Sequence, residues 1–94
     1  MRLEHDTEAD AIYVTLREGS YAYGEDLDAQ RRIDYDASGA PLGIELLNAS
    51  SGVDVHDLPE QERVGSLLTK HGVPIYARSP SSKRGSGRRN DSDS

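Results

Sequence analysis

Two stretches of this chain switch between apolar and polar residues at every second position, and that period constrains the fold more than any other feature. In the first, Ile12, Val14 and Leu16 alternate with Ala11, Tyr13, Thr15 and Arg17; in the second, Leu42, Ile44 and Leu46 alternate with Gly43, Glu45 and Leu47. Side chains of a strand point alternately to opposite faces, so each stretch predicts a strand with one face on a core and the other in water. Between them, Leu27 to Asp36 reads as a further strand, with Leu27, Ala29, Ile33 and Tyr35 on one face and Asp28, Gln30, Arg32, Asp34 and Asp36 on the other. Arg2 to Asp6 is a short candidate strand with Leu3 and His5 on one side, and Tyr21 to Asp26 reads as a loop or irregular edge.

The turns between these runs have their own chemistry. Asp36-Ala-Ser-Gly39 has Asp first and Gly last, the residues favoured by a type I turn closed by a glycine of positive φ. In the polar stretch Thr7 to Asp10, the carboxylates of Asp6 and Asp10 are expected to accept turn amides while Glu8 stays solvated. Pro41 has no amide to give a ladder and belongs at a strand start or an edge.

After a Ser- and Gly-rich connector, Asn48 to Val55, the pattern changes period. Asp57-Leu-Pro-Glu60 reads as a helix start with Asp57 as N-cap. Val64, Leu67, Leu68 and His71 then follow the spacing of one helical face, and Gly72 is a candidate C′ residue with Pro74 barring continuation. Val73, Ile75 and Tyr76 add a final short strand or pack as an extended arm. The expected fold class is α+β: a small antiparallel sheet of about four strands, a β-meander, covered on one face by a single C-terminal helix. Residues 1–50 form the sheet domain, 51–78 the connector, helix and arm, and 79–94 a disordered tail rich in Ser, Gly and Arg, which has no residue able to anchor a core.

Composition narrows the function classes. Up to Arg78 the chain carries 7 basic and 15 acidic residues, a net charge of −8, while the tail carries 4 basic and 2 acidic. An acidic body repels phosphate backbones, so nucleic acid is not the expected partner. No apolar run approaches the roughly 20 residues of a membrane span, and the expectation is a cytoplasmic protein. With no cysteine, tryptophan or phenylalanine, a domain of this size rarely gains more than about 3–5 kcal/mol from its core. A homo-oligomer or a small protein partner is therefore expected on stability grounds.

Two acidic groups could carry chemistry. Asp6, Glu8 and Asp10 alternate as in a calcium loop, but an EF-hand begun at Asp6 needs Gly at the sixth position and Glu at the twelfth, where Ala11 and Arg17 stand. Asp34 and Glu45 would face the wet side of the sheet as neighbours. Like charges placed there need Arg32, Arg17 or a cation between them. With Asp6, Glu8 and Asp10 they make up a candidate carboxylate metal site, which would support a small metal-dependent hydrolase or metal-binding protein. The preferred reading is non-enzymatic and needs no cofactor: Tyr13, Asp34, Asp36 and Glu45 form a docking surface for another protein. The three histidines show no zinc spacing.

The same two stretches resemble the YuzE-like small domain of unknown function, the DUF2283 family. The resemblance rests on Asp6, Glu8, Asp10, Ala11, Ile12, Tyr13, Val14 and Leu16, and on Ile33-Asp-Tyr-Asp36, Gly39 and Leu42-Gly-Ile-Glu-Leu-Leu47. His5 stands where the family usually has an aromatic residue. The resemblance covers residues 1 to about 50. It implies a small bacterial or archaeal protein with no established catalytic residues or cofactor, and an antitoxin-like role beside a small basic toxin.

Overall fold

A computed structural model of the protein describes residues 1–77, so the expected tail and Arg78 lie outside the described residues. Five strands make the main sheet: β1 (Arg2–Asp6), β2 (Ala11–Thr15), β3 (Tyr23–Asp26), β4 (Arg31–Tyr35) and β5 (Pro41–Leu47). All their pairings are antiparallel, in the spatial order β1-β2-β5-β4-β3. The fold is α+β as expected, with two corrections. There are five strands rather than about four, and the sheet is not a plain meander, because β5 returns to lie between β2 and β4. The most apolar strand thereby takes the centre, where both of its edges are paired and neither is left as a template for association.

The fifth strand comes from the segment expected to be a loop. Tyr23–Asp26 pairs with Arg32–Tyr35, and the residues between make the turn. Asp28 drives this. Its Oδ1 accepts the Gln30 amide at 3.0 Å, and the Leu27 amide reaches the Arg31 carbonyl at 2.7 Å. Side-chain capture of a nearby amide makes Asp a turn former, so Leu27 and Ala29 end exposed in a turn rather than on a core face.

The hairpin joining β4 and β5 is built as expected. Asp36 Oδ1 accepts the amides of Ser38 and Ala40 and the Ser38 hydroxyl, and Gly39 has φ 88°. Asp6 Oδ1 likewise accepts the Glu8 and Ala9 amides. Asp10 does not pin its own turn. It sits at φ 54° and reaches the far end of β5 instead, taking the Ser50 amide at 2.9 Å and the Ser50 hydroxyl at 2.7 Å.

Beyond β5 come a 3-10 turn (Ala49–Ser51), a short strand β6 (Val53–Asp54), helix α1 (Gln61–Lys70) and a last strand β7 (Ile75–Tyr76). β6 and β7 pair in parallel as a separate two-stranded sheet, so the final arm is a strand. The helix starts later than its sequence signal: Glu60, at φ 53°, precedes it without a side-chain cap, and Asp57 caps nothing. The reason is Leu58, which is buried in the core. Burying a leucine is worth about 1.5–3 kcal/mol against about 1 kcal/mol for an N-cap. The stretch before Pro59 turns inward and gives up the cap. At the other end Gly72 has φ 77°, as a C′ glycine should.

A single cluster joins the layers. Ile12, Val14, Leu16, Ile33, Ile44 and Leu46 from one sheet face pack with Ala49, Val53, Val55, Leu58, Val64, Leu68 and Val73. One sheet face is thus covered by α1 and its flanking segments. No helix or strand among the described residues lies over the other face, and none of the helices is long and apolar enough to cross a membrane.

Candidate functional site

The strand registers define the uncovered face. Glu4, Tyr13, Glu45, Arg32 and Asp26 follow one another straight across the five strands, and beside them run Arg2, Thr15, Gly43, Asp34 and Gly24. Directly opposed residues share a face, so this side carries Glu4, Asp6, Asp26, Asp34 and Glu45 against Arg2 and Arg32. Five carboxylates oppose two guanidinium groups.

Two glycines decide how these side chains lie. A Cβ on Gly43 would come within 2.5 Å of Tyr13 Cζ, and one on Gly24 within 2.7 Å of Arg32 Nε. The missing Cβ of Gly43 lets the Tyr13 ring lie flat across β5, and its hydroxyl donates to Asp34 Oδ2 at 2.9 Å. Arg32 lies the same way over Gly24. Its Nη1 is 3.2 Å from Asp26 Oδ1, its Nη2 donates to the Tyr21 hydroxyl at 3.3 Å, and its Nε is 3.5 Å from Asp34 Oδ1. The result is a low, braced surface with its polar groups held parallel to the sheet.

Asp34 is therefore committed to Tyr13 and Arg32. Glu45 is not: half-buried between Tyr13 and Arg32 in register, it has no hydrogen bond and no cation within 4.0 Å among the described residues. The surroundings of Tyr13 tell in its acidity. Burial, the hydrogen bond to Asp34 and the negative charges of Asp34, Glu45 and Glu4 push its hydroxyl up to about 12, because an anion there would meet carboxylates rather than water. Arg32 is likewise held more basic, by its bonds to Tyr21 and Asp26.

The other expected site residues are dispersed. Asp36 is engaged by its turn, and its Oδ2 accepts from Arg17 at 2.6 Å. The hydrogen bonds from Ser38 and Ala40 lead the causes that hold its carboxyl below the usual range, with Arg17 adding to them. Asp6 serves its turn amides, and Asp10 clamps Ser50. Among the described residues no group of three His, Asp or Glu side chains is gathered closely enough to hold a metal ion. The proposed union of Asp6, Glu8, Asp10, Asp34 and Glu45 has no geometric counterpart here. Shallow depressions flank Glu45 on the uncovered face, and another lies between α1 and β7, lined by Val55, Gly65, Ser66 and Ile75.

One residue escaped the sequence reading. Arg31, only 11% exposed, projects from β4 on the covered side. It donates to the Asp54 and His56 carbonyls at 2.9 and 2.7 Å and pairs with Asp28 at 2.9 Å, so it ties the sheet to the segment before α1. Its neighbour Arg32 looks the same in sequence and faces the opposite way. The period-two pattern through Ile33 was the signal that separates them.

A helix-backed antiparallel sheet with one braced, acidic, uncovered face is the class of protein these observations define. More particularly, the chain belongs to the family described as protein of unknown function (DUF2283), whose model matches residues 2–50. The match takes in all five strands and the Asp10–Ser50 clamp and ends before α1. No curated protein and no solved structure matches the chain.

Proposed function

We propose that the protein is a non-enzymatic interaction module of the cytoplasm that receives a basic protein on its uncovered sheet face, as an antitoxin receives a cationic toxin. The observation that carries this reading is Glu45. It is a half-buried carboxylate with no cation of its own, set beside a tyrosine fixed by Asp34 on a face where acids outnumber bases. A lysine or arginine from a partner would supply the missing charge and meet the Tyr13 ring where it lies flat across β5. Charge complementarity of this kind speeds encounter and sets orientation more than it adds affinity. The hollows on this face, one lined by Glu4, Asp6, Tyr13 and Glu45 and another by Asp26, Arg32 and Glu45, are walled mostly by polar side chains, which suits a partner's basic side chain better than an apolar small substrate.

The test is the binding of the full chain to a fluorescein-labelled arginine-rich peptide, followed by anisotropy at low and high salt. A salt-sensitive complex weakened about tenfold by Glu45→Gln supports the reading. Binding that ignores both salt and Glu45 contradicts it. A small basic protein that co-purifies with the wild-type chain but not with Glu45→Gln is the expected result.

A further inference from the structure

The main sheet ends at β1 on one side and β3 on the other. β1 pairs with β2 alone, and its residues are exposed except for half-buried Leu3. Natural sheets usually close such an edge with a bulge, a proline or charges that repel a second strand. β1 has no bulge or proline, and its charges on the uncovered face are of both signs, Arg2 followed by Glu4 and Asp6. We propose that β1 pairs antiparallel with β1 of a second copy of this chain about a two-fold axis at Leu3, joining two five-stranded sheets into one of ten strands.

The register follows from the sequence. With the axis at Leu3, Arg2 stands opposite Glu4 of the second copy on the uncovered face, and the same pair repeats on the other side of the axis. Opposed charges across an antiparallel pair stabilise it, and like charges would not. The Arg2 side chain is 61% exposed and lies 3.9 Å from Glu4 and 3.6 Å from Glu18, both of them exposed carboxylates, so these loose pairings can give way to a cross-strand one. On the covered face the same axis sets Leu3 against its own copy and Met1 against His5. That side of the edge leaves apolar area open among polar neighbours: Met1 is 41% exposed and shares a shallow groove with Leu67, Glu62, Arg63 and Lys70, and Leu67 and Leu3 are only partly buried against the core. A second copy would complete the burial that one small domain leaves unfinished. The opposite edge lacks this symmetry. The charged residues of β3 are Glu25 and Asp26, so its self-pairing would bring only carboxylates together.

This contact goes beyond the basic-partner reading and uses a different surface, so the two fail separately. Sedimentation equilibrium of the full chain is the measurement. The wild type is expected to dimerise, Arg2→Glu and Glu4→Arg each to raise the dissociation constant about tenfold or more, and the double exchange R2E/E4R to restore it. Both positions are exposed and neither substitution touches the core, so the fold should survive, as circular dichroism would check. A wild type that stays monomeric at every concentration overturns the proposal. So does a dimer indifferent to the single changes or not restored by the double one. Because the chain has no cysteine, Leu3→Cys gives a second readout. Cysteines opposed across the axis should join as an intermolecular disulfide on mild oxidation, whereas preferential crosslinking through Glu4→Cys would contradict this register. Glu45→Gln should leave the dimer unchanged.

Discussion

Gly43 is conspicuous for what it lacks. In the middle of a central strand a glycine loses packing and adds chain entropy to be overcome, yet here it is the slot in which Tyr13 lies to reach Asp34. Gly43→Ala should drive the ring off the strand and cost about 1 kcal/mol for the lost hydrogen bond. The same substitution made on a Tyr13→Ala background should cost much less, and a double-mutant cycle in urea measures the difference. The hydroxyl gives a second handle. Its folded pKa is raised to about 12, so its contribution to stability is intact below about pH 10, the unfolded value, and is lost as pH rises through 12. Absorbance titration should show a tyrosine component near pH 12 that vanishes in Tyr13→Phe. Asp36 behaves oppositely: its lowered carboxyl adds stability above the ordinary carboxylate pKa and loses it as pH falls through the lowered value. The Gly43 position was legible as a strand residue, but its purpose was not. A diagonal reach across two strands depends on register, and one sequence does not print register.

Arg31 shows how one element is fastened to another. The five strands bury apolar residues on one face, and the layer that covers them includes β6, whose Asp54 lies 23 residues beyond Arg31 in the chain. Arg31 spans that gap with two bonds to main-chain carbonyls and an ion pair to Asp28. Bonds from a charged donor are worth about 1.5–3 kcal/mol when buried. Arg31→Met should therefore loosen β6 and β7 before it loosens the main sheet. Hydrogen exchange should speed at the Val53 and Val55 amides, which bond to Pro74 and Tyr76, more than at Val14 or Ile44. Equal speeding everywhere would mean that Arg31 holds the whole fold rather than this junction. At the same scale the alternating strands β2 and β5, the Asp36–Gly39 turn and the helical face of Val64 and Leu68 were readable, because each is a local period or a local turn. β3 and the start of α1 were not. β3 is a strand only because β4 pairs with it, and the Asp57 cap yielded to the burial of Leu58, a tertiary preference that outweighs a local one.

For the whole molecule, the two sides of the sheet divide the work. The covered side supplies stability from a modest core, so Leu68→Ala, which removes a fully buried side chain where α1 meets the sheet, should cost about 2–5 kcal/mol. That approaches the entire margin of a domain this small, and the urea midpoint of the variant should fall close to zero denaturant. The uncovered side is the surface proposed for recognition. Its acidic character could be seen in the charge count and in the alternation, but Glu45 as the unpaired group, with Asp36 withdrawn into its turn, could not. Those assignments depend on which guanidinium each carboxylate finds in three dimensions. Since the carboxylates are dispersed, calcium, magnesium, manganese and zinc should leave the melting temperature where it is, a thermal-shift measurement that would register a site by mass action.

Docking on the uncovered face is measured most directly by a residue-resolved NMR titration of the full chain with the arginine-rich peptide. With a basic partner seated on the uncovered face, amide shifts should concentrate at Tyr13, Arg32, Asp34, Gly43 and Glu45, saturate together and fade with added salt. Shifts confined to α1 and β7, with the uncovered face silent, would contradict this docking.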